Sequence, residues 1–287
     1  MKTNFFLPIL IILFFVSCSS NENTEPIKKQ EPIVLIAEKT IFNESYGSNS
    51  QQVFDLYLPA NRTENATKTL ILVHGGGWTE GDKADMNYLI SFIKQNLPGY
   101  AIANMNYRLS TPGNPALPMQ TDDLNSLFNK LKNENYGISD IFGFIGVSAG
   151  AQLSLLYSYT NNPNNNIKMV ASIVGPTNFT DPQYVNNSEW ISRYLLITGL
   201  DYSTNVGFFQ NASPLFKATT NSPPTIMLYG DNDILVPISQ GRDLHNKLNE
   251  LGVYNEFNLY AGGHGNWAPL DIFKAYTSIV NFIKLKF

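Results

Sequence analysis

Cysteine and histidine are nearly missing from this chain, and clustered basic charge is missing altogether. Its 287 residues include one cysteine, Cys18, and three histidines. A single thiol cannot form an internal disulfide, so any folded domain must be held by packing alone. No CxxC or HExxH spacing and no phosphate-binding loop occurs, which agrees with a site free of metal or organic cofactor. Lys and Arg number 19 against 23 Asp and Glu, a net charge of −4 with no Lys/Arg block, which excludes the footprint of a nucleic-acid partner. The N-terminal apolar run 5–16 is interrupted by Pro8 and falls well short of the roughly 20 residues a spanning helix needs. What is present is a 43% hydrophobic chain, long enough to bury the core of one large domain.

Lys2 followed by that apolar run reads as a secretory signal over residues 1–17. Phe15-Val16-Ser17-Cys18 resembles the lipobox of bacterial lipoproteins, although Phe15 stands where an aliphatic residue is usual. The resemblance implies that Cys18 carries lipid, that the protein is exported to the cell envelope, and that membrane contact is confined to this anchor. An ordinary cleaved signal with an incidental cysteine is the alternative. Residues 18–32 are polar, with two prolines, and read as a flexible tether. A single domain over 33–287 follows, with no internal repeat. The pattern does not indicate an oligomeric state.

Segments 33–42 and 53–58 are β-branched or alternating, with Asn, Gly and Ser between them, which predicts an antiparallel start. Runs 69–73, 101–106, 141–145 and 169–174 predict strands buried on both faces. Between them, 84–95 and 123–131 place apolar residues on one helical face. Strand 225–229 precedes helix 240–251, and strand 256–260 precedes helix 271–284. Eight strands alternating with helices imply an α/β fold with a mostly parallel sheet. Residues 175–222 are rich in Asn, Thr, Ser, Pro and aromatics, with a weakly helical centre at 190–196, and predict a small cap over the site.

Gly146-Val147-Ser148-Ala149-Gly150 lies between strand 141–145 and a helical run containing Leu153, Leu155 and Leu156. A serine on so tight a turn has strained dihedrals, and flanking glycines relieve the crowding while the hydroxyl stays exposed. GxSxG also arises by chance, so the upstream run His74-Gly75-Gly76-Gly77-Trp78, directly after strand 69–73, carries weight. Gly76 and Gly77 are the upstream candidates for amides that reach a developing oxyanion unobstructed by side chains. Ala149, following the serine at a helix N-terminus, is the other.

A serine hydroxyl needs a base. His74 belongs to the glycine loop, and His245 falls within a predicted helix where a solvated histidine is ordinary. His264, in Ala261-Gly262-Gly263-His264-Gly265 after the last strand, remains as general base. For the carboxylate, Asp231 and Asp233 compete in the loop after strand 225–229.

Together these residues resemble the esterase and lipase branch of the α/β-hydrolase superfamily, close to small carboxylesterases with an HGGGW loop. Asn106-Tyr107-Arg108-Leu109, the segment 118–123, Ala212-Ser213-Pro214 and Pro223-Pro224 add to the likeness. The family pattern of Gly, two variable residues and Asp ahead of Val-Pro assigns the acid to Asp233 and leaves Asp231 to the turn. The resulting order, Ser148, Asp233, His264, is the order this superfamily shows. The resemblance implies cleavage of a small-molecule or saccharide ester through an acyl-enzyme, with a short acyl or hydroxycinnamoyl group on a carbohydrate as the expected substrate. Amide or formamide cleavage on the same three residues and a non-catalytic envelope binding protein are the alternatives. Aromatics of 175–222 and Trp267 are candidates to line the pocket, or equally to pack the core.

Overall fold

A computed structural model describes residues 36–287. The expected signal sequence 1–17, Cys18 and the tether to residue 32 lie outside the described residues, as do 33–35 at the start of the expected domain.

Strands β1 (Lys39–Ser45), β2 (Val53–Leu58) and β3 (Thr69–Val73) come first, then helix α1 (Asn87–Asn96), β4 (Ala101–Met105) and α2 (Ala116–Asn133). They are followed by β5 (Phe142–Val147), α3 (Ala149–Thr160) and β6 (Ile167–Ile173). Four short helices succeed β6: α4 (Pro182–Val185), α5 (Ser188–Thr198), α6 (Val206–Asn211) and α7 (Pro214–Lys217). The chain closes with β7 (Thr225–Gly230), α8 (Ile238–Glu250), β8 (Asn255–Tyr260) and α9 (Pro269–Lys286).

The eight strands form one sheet in the order β1-β2-β4-β3-β5-β6-β7-β8. β2 runs antiparallel to β1 and β4, and all remaining pairs are parallel, which is the α/β-hydrolase fold.

Both faces of the sheet are covered, and successive residues alternate between two apolar clusters. Ile71 and Val73 join Leu127, Leu153 and Leu244 on the face packed by α2, α3 and α8. Leu70 and Leu72 join Ile93, Ile279 and Ile283 on the face packed by α1 and α9. Every residue of β3 and β4 is buried, and a fully buried Leu or Ile side chain contributes about 1.5–3 kcal/mol. That burial explains why these strands read as apolar runs, relieved only by Thr69 at the start of β3 and Asn104 within β4.

Two expected boundaries move. The first strand is 39–45 rather than 33–42, because its length is set by antiparallel register with β2, Lys39 opposite Leu58 and Ser45 opposite Val53. The α2 segment opens at Ala116 rather than 123, but Leu117 is extended at φ −114° and ψ 130°, so the continuous helix starts at Pro118, where a missing N–H is harmless.

The strand order reverses at β3, whose successor β4 lies on one side while β5 lies on the other. A crevice opens at the carboxyl ends of parallel strands at such a switch point. Both glycine motifs follow these two strand ends.

Candidate active site

Six non-glycine residues among those described have positive φ. Asn43, Asn61 and Asn165 are residues that tolerate the left-handed region. The other three, Trp78, Ser148 and Val174, follow the carboxyl ends of β3, β5 and β6. Each such residue costs about 1–3 kcal/mol and persists only where its surroundings over-determine it. Backbone strain is thus gathered at the edge where the switch point opens.

Ser148 has φ 51° and ψ −119°, between the last residue of β5 and the first of α3. Its N–H donates to the Ile173 carbonyl at 2.8 Å, tying the turn to β6. The turn is possible because α3 approaches the sheet closely. A Cβ on Gly150 would lie 2.2 Å from the His74 carbonyl oxygen and 2.3 Å from that of Val73, and one on Gly146 would lie 2.4 Å from the Gly150 oxygen. No side chain fits at either position.

His264 brings its Nε2 to 2.8 Å from Ser148 Oγ and its Nδ1 to 2.7 Å from Asp233 Oδ2. Asp233 Oδ1 accepts the amides of Leu235 and Val236 at 2.9 and 2.8 Å, which fixes the carboxylate and leaves Oδ2 for the imidazole. With the proton on Nδ1 facing the carboxylate, Nε2 is left as an acceptor for the serine proton. The Asp233 side chain is wholly buried and that of His264 is 25% exposed, so the imidazole alone of this pair meets solvent.

Asp231 is not part of this line. Its Oδ1 accepts from Gly262 N at 3.0 Å, and Asn232 N donates to the Gly262 carbonyl at 3.0 Å, so it clamps the loop after β7 to the loop that carries His264.

The glycine loop reaches the serine: a Cβ on Gly75 would stand 3.3 Å from Ser148 Cβ. Among the described residues, the amides of Gly76, Gly77 and Ala149 donate no hydrogen bond within the protein. Ala149 is the first residue of α3, where the helix dipole adds partial positive charge.

His74 is fully buried under this loop, stacked on Tyr107 at 4.3 Å between ring centroids. Its Nδ1 lies 2.6 Å from the Gly75 carbonyl, and Tyr107 OH donates to the His74 carbonyl at 3.0 Å. Burial pushes the His74 pKa below its ordinary value, partly opposed by the bond to Gly75, and so favours a neutral ring that shapes the loop. His245 is remote from this arrangement: its Nδ1 lies 2.5 Å from Asn255 Oδ1 and its ring stacks on Phe257.

Sequence patterns gave no role to two glutamines that join these parts. Trp78 Nε1 donates to Gln152 Oε1 at 2.9 Å, and Gln152 Nε2 donates to the Ala212 carbonyl at 2.9 Å, linking glycine loop, α3 and cap. The signal was the spacing, because Gln152 lies one helical turn beyond Ser148. Gln240 of α8 accepts the amides of Thr177 and Asn178, both at 2.7 Å, and donates to Asp181 Oδ2 at 2.9 Å. Nothing in its local sequence announces this.

The cap over 175–222 is more helical than its composition suggests, and its aromatics pack on one another and join the core cluster on the α2, α3 and α8 face of the sheet. Tyr194 packs on Phe179, Trp190 and Phe209 at 5.6, 5.8 and 4.7 Å, and all four are buried. Trp267 is buried against Tyr260 and donates to the Gly263 carbonyl at 3.0 Å, so it braces the His264 loop. These side chains pack rather than wall a cavity.

Known proteins resemble the chain in both sequence and fold. Esterase LipC of Mycobacterium tuberculosis is 23% identical over 239 residues, covering 77% of this chain and 58% of that protein. The probable carboxylic ester hydrolase LipM of the same organism is 27% identical over 199 residues, covering 63% and 45%. The chain thus spans about half the length of these curated relatives. A truncated carbohydrate esterase from gut microbiota superposes with a TM-score of 0.74 at 20% identity, covering 86% of this chain and 95% of that one. Esterase B from Lactobacillus rhamnosis does so at 0.68 and 21%, covering 87% of each. The BD-FAE family model matches residues 54–248, a stretch that includes the Ser148 turn, the glycine loop and Asp233, and the chain belongs to that family.

Proposed function

We propose that the protein is a serine esterase that cleaves carboxylic esters through an acyl-enzyme. The observation that carries this reading is the hydrogen-bonded line Ser148–His264–Asp233, beside amides of Gly76, Gly77 and Ala149 that have no partner among the described residues. His264 Nε2 takes the Ser148 proton as Oγ adds to the ester carbonyl, and the buried Asp233 carboxylate stabilises the imidazolium that forms. The oxyanion is held by the Ala149 amide and one or both glycine amides, each donor contributing about 3 kcal/mol. Collapse breaks the bond to the alkoxy oxygen, which leaves with the proton from His264. Water, deprotonated by the same imidazole, then releases the acid and restores Ser148.

For substrate we propose a short acyl or hydroxycinnamoyl ester of a carbohydrate. Support comes from relatives named as esterases and from fold neighbours described as a carbohydrate esterase and an acetyl ester-xyloside bifunctional hydrolase. The latter, from Caldicellulosiruptor lactoaceticus, is 15% identical with a TM-score of 0.67, covering 88% of this chain and 97% of that one. Turnover of 4-nitrophenyl esters across acyl lengths, alongside acetylated and feruloylated saccharides, tests both parts. Activity on simple esters with none on saccharide esters rejects the carbohydrate part. Inactivity on every ester rejects the whole.

We also propose export and lipid anchoring through Cys18, on the strength of the leader sequence. Metabolic labelling with a fatty-acid analogue should mark the wild-type chain and leave Cys18→Ala unmarked.

A further inference from the structure

The α5 helix of the cap places one cation against the glycine loop. A Cβ on Gly77 would lie 2.7 Å from Arg193 Nη1, so the guanidinium lies against the glycine loop in the space a side chain at that position would fill. Gly77, at φ +55°, therefore gives the backbone its conformation and gives the cation its room.

Arg193 is half-buried, its Cζ 5.5 Å from the centre of the Trp190 ring. Trp190 is in turn fixed by Tyr184, whose ring centre is 3.9 Å away. Among the described residues Arg193 makes no hydrogen bond and no ion pair, although Glu189 stands one turn earlier on the same helix. Of the other three arginines, Arg108 is forked onto buried Asp123 and Arg62 donates to three carbonyls, while Arg242 is exposed on α8. Arg193 differs in holding its charge beside candidate oxyanion donors with nothing to neutralise it.

A guanidinium presents a planar set of donors that matches a carboxylate two bonds at a time. Its stacking on Trp190 limits the freedom it would lose on binding an anion. We infer that Arg193 is a specificity residue for an ester that also carries a carboxylate, held at the glycine loop while Ser148 attacks the ester carbonyl. This deepens the esterase reading and rests on it. The carboxylate could belong to the acyl group, as in a hemiester of a dicarboxylic acid, or to the alcohol, as in an acylated uronic acid.

Two matched pairs of substrates separate these sources. On the acyl side, 4-nitrophenyl hemisuccinate is compared with 4-nitrophenyl butyrate; on the alcohol side, acetylated glucuronic acid is compared with acetylated glucose. In at least one pair the wild type should favour the anionic member. Arg193→Gln should lower kcat/KM for that member by about ten- to a hundredfold more than for its neutral partner, chiefly through KM. Arg193→Lys should recover part of the difference, and added salt should erode the preference in the wild type and in Arg193→Lys but not in Arg193→Gln. Equal losses on both members of each pair, or a wild type indifferent to the carboxylate in both, overturn the inference while leaving the esterase reading intact. Failure to turn over any of the four substrates overturns both.

Discussion

The carboxyl edge of the sheet and the cap beside it are built on opposite principles. The edge gathers the strained residues Trp78, Ser148 and Val174 onto strands buried at every position but Val147 of β5 and Lys168 of β6, and glycines hold its parts at contact distance. The cap consists of four short helices whose aromatics join the core cluster on one face of the sheet and which side-chain amides such as Gln152 and Gln240 tie down further. Rigid, over-determined backbone can hold reacting groups within a few tenths of an ångström, whereas helices held by side-chain packing and amide clamps can change without disturbing that backbone. The difference suggests that the strand ends carry the chemistry and the cap carries the choice of substrate.

The sharpest break between the two regions should appear in turnover. Ser148→Ala and His264→Ala should each reduce kcat by roughly 10⁴- to 10⁶-fold with thermal melting unchanged, because the three groups act as a unit. Asp233→Asn should follow at about 10⁴-fold, since Nδ1 would then lack its carboxylate partner. Asp231→Asn should change kcat by less than about tenfold, because that residue braces a loop, and steady-state kinetics on one chromogenic ester compares all four.

Stability separates the regions next. Gly150→Ala should destabilise the protein by roughly 3 kcal/mol or more in denaturant titration, as the new methyl meets two backbone oxygens that cannot move far. Gln240→Ala should cost about 2–3 kcal/mol by stranding the amides of Thr177 and Asn178. Its kinetic effect should fall on KM and on substrate preference more than on kcat.

The smallest effect concerns His74. Its folded pKa lies below the ordinary 6.5, so between those values the unfolded chain binds a proton that the folded chain does not. Its contribution to stability is therefore complete above about pH 6.5 and is lost as the pH falls toward the folded value. Melts at pH 7.5 and 5.5 should show the wild type losing more stability on acidification than His74→Asn.

The same contrast decides what could be read from the sequence. Buried parallel strands leave continuous apolar runs, and glycine is demanded wherever backbones touch, so β3, β5, Ser148 and the glycine loop were all visible in the residues themselves. Asp233 was separable from Asp231 only through family likeness, because both carboxylates stand in the same turn and only three-dimensional placement tells a partner of His264 from a clamp on Gly262. The cap was legible as a region but not in its parts. Its aromatics suited pocket walls and core packing equally in the sequence, and Phe179, Trp190, Tyr194 and Phe209 pack in the core, since composition does not reveal which way a ring faces. Gln240 and Arg193 act across long stretches of chain, and no local pattern marks such contacts.

The most direct test of the central claim is reaction with an alkyl fluorophosphonate followed by intact-mass and peptide mapping. The account predicts one adduct, on Ser148, formed in step with loss of ester turnover, and no adduct or turnover in Ser148→Ala. Labelling at another residue, or a Ser148→Ala variant that still hydrolyses esters, would contradict it.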